Sequence, residues 1–364
     1  MGSSPVVSAP DAAARAAALV RPEISAMAGY VPGEQPQGGK FIKLNTNENP
    51  YPCSPNVRLA IMAALDRGLQ KYPDPTATAF RQRAGEVLGV PADWLMAGNG
   101  SDDILTIVTR AFVGEGQRLR LPYPSYILYR TLAQLQGADA EEIRFTPDFA
   151  LPQAFGEGDS NLKLVFLPNP NSPSGTVVSP DAILAFAESL PCPLVVDEAY
   201  GDFAETNCLD LVKRSDKILV SRTLSKSYAL AGLRFGFVVG QPHVIEQLHK
   251  VRDSYNVDSL AIAGATAAID DQAWLRENTA KIKKTRAALF AGLTELGFAA
   301  VPSQANFVWA PHPSKPCKPM YEELKANRVL VRYMHYAGWG DGLRISVGTD
   351  DQIEVCLSLL KGML

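Results

Sequence analysis

The stretch KILVSRTLSKSYALAGLR, residues 217–234, contains the pattern that decides the fold. It opens with a short apolar run, KILVS, and continues directly into a turn that carries Lys226 and, eight residues later, Arg234. A short apolar run bounded by turn residues is typical of a buried strand. Because ligands of open α/β sheets bind beyond the carboxyl ends of the strands, residues that follow such runs are candidates for a functional site.

The same pattern recurs on both sides of this stretch. Between about residues 58 and 240, helix-period stretches such as RLAIMAALDRGL and DDILTIVTRAFV alternate with the apolar runs WLMA, RLRL, LKLVFL, PLVV and FGFVV. This alternation predicts an α/β fold with a mostly parallel sheet covered by helices on both faces. After residue 241 a long helical stretch, broken near residues 253–259, precedes the shorter units VWA, VLVRYM and GLRISV. These units predict a second, smaller α+β part.

Length and composition set the domain number and the class of protein. A chain of 364 residues exceeds one common domain, so we expect a large domain at residues 45–255 and a small C-terminal domain at residues 256–364. Residues 1–44 are expected to form an N-terminal arm that joins the small domain or a dimer contact. With 46% hydrophobic residues, 20% charged residues and a net charge of −3, the composition excludes disorder and indicates no nucleic-acid or membrane-surface partner.

Cysteine and histidine usage argues against a disulfide framework and against a metal site. The five cysteines are scattered without a CxxC pair, and the four histidines do not show metal-ligand spacing. The apolar start AAARAAALV is interrupted by Arg15 and predicts a short helix or arm rather than a signal peptide. We therefore expect a cytoplasmic protein without a bound metal.

A glycine-bearing turn, AGNGSDDIL at residues 97–105, links a predicted strand to a predicted helix. Exposed backbone N–H groups at the start of such a helix, together with its dipole, can hold a phosphate. The alternative is an ordinary turn in which Ser101 or Asp102 caps the helix. Asp103 stands at the third glycine position of a dinucleotide-binding fingerprint, which weighs against a nicotinamide site.

Two further strand ends carry charged residues. Asp197 follows the run PLVV, where a buried carboxylate needs a positive partner or hydrogen-bond donors. Lys226 follows KILVS and lies close in sequence to Thr223, Ser225 and Arg234. A lysine that loses solvation can act as an amine nucleophile. The hydroxyls and the arginine indicate a second anion site beside that amine.

A phosphate site, an imine-forming amine and an acid able to hold a ring nitrogen protonated match the groups of pyridoxal 5'-phosphate. At this point the sequence resembles the fold-type I, class II aminotransferases, and within them the histidinol-phosphate aminotransferase branch. The resemblance covers nearly the whole chain, from Asn45 to Thr349. It is carried by the phrases LNTNENPY, KYPDP, GNGSDDIL, PNPNSPSG, VVDEAY, RTLSKSYALAGLRFG, QANF, VLVR and LRISVGT. It implies a large domain with a mostly parallel seven-stranded sheet.

The resemblance also implies roles for residues at the cofactor. Lys226 would form the imine and move a proton between substrate and cofactor, Asp197 would pair with the ring nitrogen, and Tyr200 would donate to the ring's phenolate oxygen. Tyr126 would stack on the ring, unless it is an ordinary core tyrosine. The residues implied at the phosphate are Gly100, Ser101, Asp102, Thr223, Ser225 and Arg234.

One turn departs from the wider superfamily, whose members have an asparagine directly before the proline of this motif. Ser172 occupies that position here, so the resemblance favours the preceding Asn171 for the ring oxygen and leaves Ser172 as the alternative. Tyr72 matches a tyrosine that reaches the phosphate of a neighbouring subunit, which implies a homodimer with shared active sites.

The resemblance places substrate recognition on two arginines. Arg344 would grip the substrate's carboxylate or phosphate, because a planar guanidinium binds such groups bidentately. Arg332 would add positive charge, unless it only forms a surface ion pair. Tyr30 of the N-terminal arm would close over the site.

The implied reaction is the transfer of an amino group between L-histidinol phosphate and 2-oxoglutarate, which yields imidazole acetol phosphate and L-glutamate in histidine biosynthesis. Several alternatives stay open at this stage. They are an aromatic amino-acid aminotransferase of the same branch, an enzyme like the threonine-phosphate decarboxylases, a nicotinamide-dependent oxidoreductase and a binding protein without catalysis. The last two leave Lys226, Asp197 and Arg234 without a common explanation.

Overall fold

The structure is a computed structural model that describes residues 14–15, 17–28, 33–36 and 38–364. Its described residues form these strands: β1 (Ile42–Leu44), β2 (Leu95–Gly98), β3 (Arg118–Tyr123), β4 (Asp139–Arg144), β5 (Leu162–Pro168), β6 (Leu194–Asp197), β7 (Ile218–Thr223), β8 (Gly236–Val239), β9 (Phe307–Ala310), β10 (Val329–Tyr336) and β11 (Gly340–Ser346).

The α-helices with described bounds are α1 (Pro22–Ala26), α2 (Pro55–Asp66), α3 (Thr78–Leu88), α4 (Ser101–Phe112), α5 (Leu128–Leu135), α6 (Pro180–Ser189), α7 (Pro242–Val251), α8 (Ser259–Asp270), α9 (Gln272–Glu295), α10 (Cys317–Ala326) and α11 (Asp350–Met363). Short 3-10 helices occupy Ala92–Trp94, Gln153–Gly156, Gly201–Phe203, Leu209–Lys213 and Ala231–Leu233. No helix in the described part of the chain is both long and apolar enough to cross a membrane.

The larger sheet has seven strands in the order β2-β8-β7-β6-β5-β3-β4. Strand β8 runs antiparallel to both of its neighbours, and the other pairs are parallel. The predicted mostly parallel seven-stranded sheet is therefore confirmed. Because β3, β5, β6 and β7 point the same way, the loops that follow them meet at one edge of the sheet.

Helices cover both faces of this sheet, and β5 shows why. Its residues Val165 and Leu167 lie in one buried cluster, whereas Leu164 and Phe166 lie in another on the opposite face. Strand side chains alternate between faces, so a strand buried on both sides reads as a continuous apolar run. Helices α3, α6 and α8 contribute to the first cluster, and α4, α5 and α7 contribute to the second.

The smaller sheet has four strands in the order β1-β10-β11-β9 and supports the second core. Strand β1 pairs in parallel with β10, so a segment from the start of the chain joins the C-terminal part. Leu289 of α9, Leu324 of α10 and Leu360 of α11 are fully buried in this core. The predicted smaller α+β unit is present.

Helix α8 lies with the larger sheet rather than with the smaller one. Its buried residues Ala261, Ala265 and Ile269 share a core with Phe80 of α3. We therefore propose that the boundary between the two units lies near Asp271, between α8 and α9, instead of near residue 255. The division into an arm, a large domain and a small domain stays a proposal.

Candidate active site

A cavity of about 500 Å³ lies at the carboxyl ends of β3, β5, β6 and β7, facing β10 and β11 of the smaller sheet. Its walls include the start of α4, the ends of β6 and β7, and one face of the β10/β11 pair. The cavity is therefore bounded by both units of the chain. Among the predicted site residues that line it are Ser101, Asp102, Tyr126, Asp197, Tyr200, Thr223, Ser225, Lys226, Arg234, Arg332 and Arg344.

The turn before α4 forms a tight backbone cradle. Gly100 adopts φ 89°, a conformation that favours glycine, and a Cβ there would lie 2.5 Å from Arg234 Nη2. A Cβ on Gly236 would lie 2.5 Å from the backbone nitrogen of Ser101. The first N–H groups of a helix have no partner inside the helix, so those of Ser101 and Asp102 can bind an anion.

Hydroxyls and a guanidinium group complete this cradle. Thr223 Oγ1 and Ser225 Oγ lie 3.0 Å apart, and Arg234 Nη1 donates to Ser225 Oγ at 3.3 Å. Arg234 Nη2 lies 3.7 Å from Asp102 Oδ2. The structure thus brings the predicted phosphate-binding residues to one place, and their donors suit a phosphate monoester.

Asp197 ends β6 at the floor of the cavity and is only 5% exposed. Its Oδ2 accepts a hydrogen bond from the hydroxyl of Tyr129 at 2.8 Å, and its Oδ1 accepts one from the backbone of Ala199 at 3.2 Å. Burial raises the pKa of the Asp197 carboxyl to about 6, and the bond from Tyr129 opposes that rise. A buried carboxylate of this kind favours a cationic partner, such as a protonated ring nitrogen.

Lys226 enters the cavity from the turn that follows β7. Its Nζ donates to the backbone oxygen of Thr46 at 3.1 Å and lies 6.0 Å from the ring centre of Tyr200. Desolvation, followed by the positive charge of Arg344, lowers the pKa of the Lys226 ammonium to about 8. The amine is therefore partly neutral near physiological pH, as a nucleophile or proton carrier must be.

Tyr200 and Tyr126 both line the cavity. The Tyr200 hydroxyl accepts a hydrogen bond from Asn47 Nδ2 at 2.9 Å, so its own proton remains available to another acceptor. Burial raises the pKa of Tyr200 above its ordinary value, which keeps it a donor. Tyr126 lines the cavity, and its hydroxyl lies 3.2 Å from Asp102 Oδ1. A flat ring can lie against it.

Arg332 and Arg344 face each other across the β10/β11 pair, where they are directly opposite in register. Arg344 Nη1 donates to Ser172 Oγ at 3.0 Å and Nη2 donates to the Asn45 backbone oxygen at 3.2 Å. Arg344 Nε is buried without a partner among the described residues. Both arginines line the cavity, so this wall can hold an anionic substrate group.

The turn after β5 holds Asn171 and Ser172, the two candidates for the cofactor's ring oxygen. Asn171 is only 2% exposed and does not line the cavity. Its Nδ2 donates to Ser174 Oγ at 2.8 Å and to the Pro124 backbone oxygen at 3.3 Å, and its Oδ1 is buried without a partner among the described residues. The neighbouring Ser172 lines the cavity and bonds Arg344. The assignment of Asn171 to the cofactor's ring oxygen stays a prediction, and we propose Ser172 as the alternative candidate.

One more predicted site residue, Tyr72, does not line the cavity of this chain. Tyr72 is 81% exposed and stacks on Tyr255, with ring centres 4.5 Å apart. Tyr30 lies outside the described residues. The role of each stays a prediction.

The structure also shows site residues to which sequence reasoning gave no role. Asn47 donates hydrogen bonds to the Tyr200 hydroxyl from its Nδ2 and to Ser346 Oγ from its backbone N–H. Asn49 Nδ2 donates to the backbone oxygen of Lys226 at 3.0 Å. The repeated asparagines of LNTNENPY were the available signal, since such residues fix turns. Tyr129 on α5 gave no signal, because a buried tyrosine in an apolar helix reads as core.

The residues present fit pyridoxal phosphate by geometry and by unmet hydrogen bonds. The cradle is too tight for a side chain at Gly100. Of the seven buried side-chain atoms without partners in the described part of the chain, three belong to residues that line the cavity: Asn45 Oδ1, Ser125 Oγ and Arg344 Nε. An amine of lowered pKa lies between the cradle and the arginine wall. These features suit a phosphorylated, ring-shaped cofactor that reacts with an amine.

Comparison with known proteins gives consistent results. Residues 39–360 match the family model described as aminotransferase class I and II. The chain is 58% identical over 342 residues to a histidinol-phosphate aminotransferase of Rhodopirellula baltica, covering 94% of each protein. It is 46% identical to histidinol-phosphate aminotransferase 1 of Trichormus variabilis, covering 94% of this chain and 98% of that one.

Solved structures give the same fold. The histidinol-phosphate aminotransferase of Sinorhizobium meliloti, in complex with pyridoxal-5'-phosphate, superposes with a TM-score of 0.84 at 25% identity, covering 95% of this chain and 98% of that one. An aspartate aminotransferase of Thermus thermophilus superposes with a TM-score of 0.77 at 21% identity, covering 89% of this chain and 92% of that one. The second likeness concerns the fold alone.

Proposed function

Because this chain belongs to the class I and II aminotransferases, which are pyridoxal-phosphate-dependent enzymes, we propose that it transfers an amino group between L-histidinol phosphate and 2-oxoglutarate. The products are imidazole acetol phosphate and L-glutamate. The reaction is a step of histidine biosynthesis. The five cysteines are unpaired, which agrees with the cytoplasmic location that we propose.

The paired arginines carry the assignment of substrate. Arg332 and Arg344 are opposite one another on adjacent strands and both line the cavity that contains Lys226. A phosphate monoester carries nearly two negative charges, so two guanidinium groups suit it better than one. A carboxylate of glutamate can use the same donors, which allows one site to accept both substrates in turn.

The cofactor would be held at three points. The α4 start, Thr223, Ser225 and Arg234 would bind its phosphate, and Asp197 would hold the proton on its ring nitrogen. Bound pyridoxal phosphate supplies an electron-withdrawing ring that stabilises negative charge on the substrate carbon. Tyr200 would donate a hydrogen bond to the ring oxygen, and Ser172 lies at the same wall.

Lys226 would carry the proton in the reaction. Its lowered pKa allows the neutral amine to take a proton from the substrate carbon and to return it at a nearby atom. Asn49 holds the lysine's backbone, and Thr46 accepts from its Nζ, so the amine is aimed into the cavity. Arg344 and Arg332 would fix the substrate's anionic group, which orients the carbon toward Lys226.

The alternatives from the sequence are not favoured. The two relatives reported above at 58% and 46% identity are both named histidinol-phosphate aminotransferases. The deciding measurement compares kcat/KM for histidinol phosphate and for phenylalanine, with 2-oxoglutarate as acceptor. We expect a strong preference for histidinol phosphate. A preference for phenylalanine would contradict the proposed substrate, and release of carbon dioxide would contradict the reaction.

We also propose that the enzyme is a homodimer. Leu59, Met62, Leu65 and Leu69 follow helical spacing along and just beyond α2, and each is at least half exposed. Tyr72 extends the same stretch and is 81% exposed. A row of large exposed apolar side chains is typical of a contact surface. A second copy is the expected partner, since Tyr72 would then reach the neighbouring cavity.

Complementation tests the shared site. Lys226→Ala lacks the amine, and Tyr72→Phe lacks the hydroxyl that would reach the neighbouring phosphate. A mixed dimer of the two variants has one site in which both residues are intact. Refolding the two variants together should therefore give higher activity than either variant has alone. A monomer by light scattering, or absence of restoration in a verified mixed dimer, would contradict the shared site.

A further inference from the structure

Tyr129 is one of the residues that line the cavity, and its side chain is completely buried. Its ring stacks on Phe166, with centres 4.8 Å apart, and meets Tyr126 edge-on at 5.6 Å. Its hydroxyl donates to Asp197 Oδ2 at 2.8 Å, across 68 residues of sequence. Two ring contacts and one hydrogen bond therefore hold a single orientation of this side chain against the carboxylate.

The surroundings of Asp197 make that hydrogen bond important. Among the described residues, both donors to its carboxylate are neutral groups, the Tyr129 hydroxyl and the Ala199 backbone. The nearby carboxylate of Asp102 adds repulsion, which together with burial favours the protonated form of Asp197 and raises its pKa. A hydrogen bond donated to the ionised form acts in the opposite direction.

Tyr129 itself does not exchange protons in the working pH range. Burial, and then the charge of Asp197, raise the pKa of Tyr129 well above its ordinary value. Its hydroxyl therefore remains a hydrogen-bond donor, and the acceptor of that hydrogen bond is Asp197.

We propose that Tyr129 is a positioning residue that keeps the Asp197 carboxylate ionised and aimed at the ring nitrogen of the cofactor. The proposal rests on the cofactor role proposed above for Asp197. Tyr129 contacts the carboxylate from the side of α5, so Asp197 is held between α5 and the backbone that follows β6. Without the hydroxyl, the carboxylate would become protonated at a higher pH and would keep only the hydrogen bond from the Ala199 backbone.

The test measures how pyridoxal phosphate binding to the cofactor-free full-length protein depends on pH. Tyr129→Phe keeps the ring contacts and removes only the hydroxyl. The dissociation constant is measured by fluorescence titration between pH 5 and 8.5 for both proteins. The cofactor's own ionisations are common to both curves, so their difference reports the protein. We expect the pH below which binding weakens to rise by about one unit in Tyr129→Phe, since hydrogen bonds to charged groups are comparatively strong.

Two controls separate positioning from simple packing. Tyr228→Phe removes another tyrosine hydroxyl, one that bonds Gln272 at 3.1 Å and does not line the cavity, and it should leave the pH midpoint unchanged. In an Asp197→Asn background, Tyr129→Phe should no longer shift the curve. An unchanged midpoint in Tyr129→Phe, or an equal shift with asparagine at position 197, would overturn the proposal.

The remaining outcomes are also decisive. If Tyr129→Phe does not fold at neutral pH, it should fold when combined with Asp197→Asn, because the unsupported buried charge is then gone. Failure of the double variant as well would mean that Tyr129 serves packing, and the proposal would be wrong. If the unaltered protein binds pyridoxal phosphate and Tyr129→Phe shows no shift, only this proposal fails. If the unaltered protein does not bind the cofactor, the proposed function fails with it.

Discussion

Replacing Asp197 by asparagine should stabilise the cofactor-free protein, and the gain should depend on pH. The carboxyl has an ordinary pKa of 3.8, and burial raises its pKa to about 6 in the folded chain. A carboxyl whose pKa is higher in the folded state destabilises that state when it is ionised. Stability is therefore lost as pH rises from about 4 to 6, and the loss is complete above that range. Asp197→Asn removes the loss.

The magnitude follows from these two pKa values. Ionisation of Asp197 costs the folded chain about 1.6 kcal/mol at pH 5 and about 3 kcal/mol at pH 7.5. The stability advantage of Asp197→Asn should therefore grow by about 1.4 kcal/mol between these pH values. Bound cofactor would reverse the sign, since the ionised carboxylate then has a cationic partner.

The measurement is chemical unfolding of both cofactor-free proteins in urea at several pH values. Asp181→Asn is the matched control, because it makes the same substitution at a side chain that is 94% exposed instead of buried. Parallel stability curves for Asp197→Asn and the unaltered protein from pH 5 to 7.5 would show that Asp197 is not a destabilised buried carboxylate. A stability advantage of Asp197→Asn that is smaller at pH 7.5 than at pH 5 would lead to the same conclusion.

Three further predictions concern the cradle, the arginine wall and the amine. Gly100→Ala should weaken pyridoxal phosphate binding, measured by fluorescence, at least about tenfold, because the added Cβ would displace Arg234. Gly89→Ala is the control: Gly89 also has a positive φ but lies in open space, so its replacement should leave the affinity unchanged. Arg344→Gln should lower kcat/KM for histidinol phosphate by about 10- to 100-fold in steady-state assays, and an effect below twofold would contradict its role. The cofactor-free protein should incorporate pyridoxal phosphate faster as the pH rises through about 8, the pKa of Lys226. A rate that does not depend on pH between 6.5 and 9 would contradict that pKa.

The larger sheet was predictable where its strands are buried on both faces. Strands β5, β6 and β7 read as apolar runs because both of their faces pack against helices. Strand β4, with the sequence DAEEIR, gives no such run because it lies at the sheet edge and remains partly exposed. Strand β1 has only three residues, and its pairing with β10 depends on contacts across almost 300 residues of chain.

The packing of α8 could not be read from its sequence. The stretch SLAIAGATAAID is apolar around most of its surface, so its pattern predicts a buried helix without indicating which core buries it. Its contacts with α2 and α3 decide that question, and they form only in the folded chain. The predicted boundary at residue 255 rests only on the order of the elements along the chain, and that order does not indicate which core buries a helix.

The charged residues of the site were predictable because each follows a strand at the ligand-binding edge. Lys226 and Asp197 are adjacent to β7 and β6, which are neighbours in the sheet. Asn171 and Ser172 show the limit of this reasoning, since two neighbouring polar residues in a turn can point to opposite sides. Tyr129 shows another limit, because only the fold brings its hydroxyl to Asp197.

The most direct test of the proposed chemistry is the covalent attachment of pyridoxal phosphate to the chain. The purified protein is saturated with the cofactor, reduced with borohydride, digested and mapped by mass spectrometry. We predict that the reduced cofactor is attached to Lys226 and that Lys226→Ala gives neither the attachment nor transaminase activity. Attachment at a different lysine, or full activity of Lys226→Ala, would contradict the assignment of Lys226.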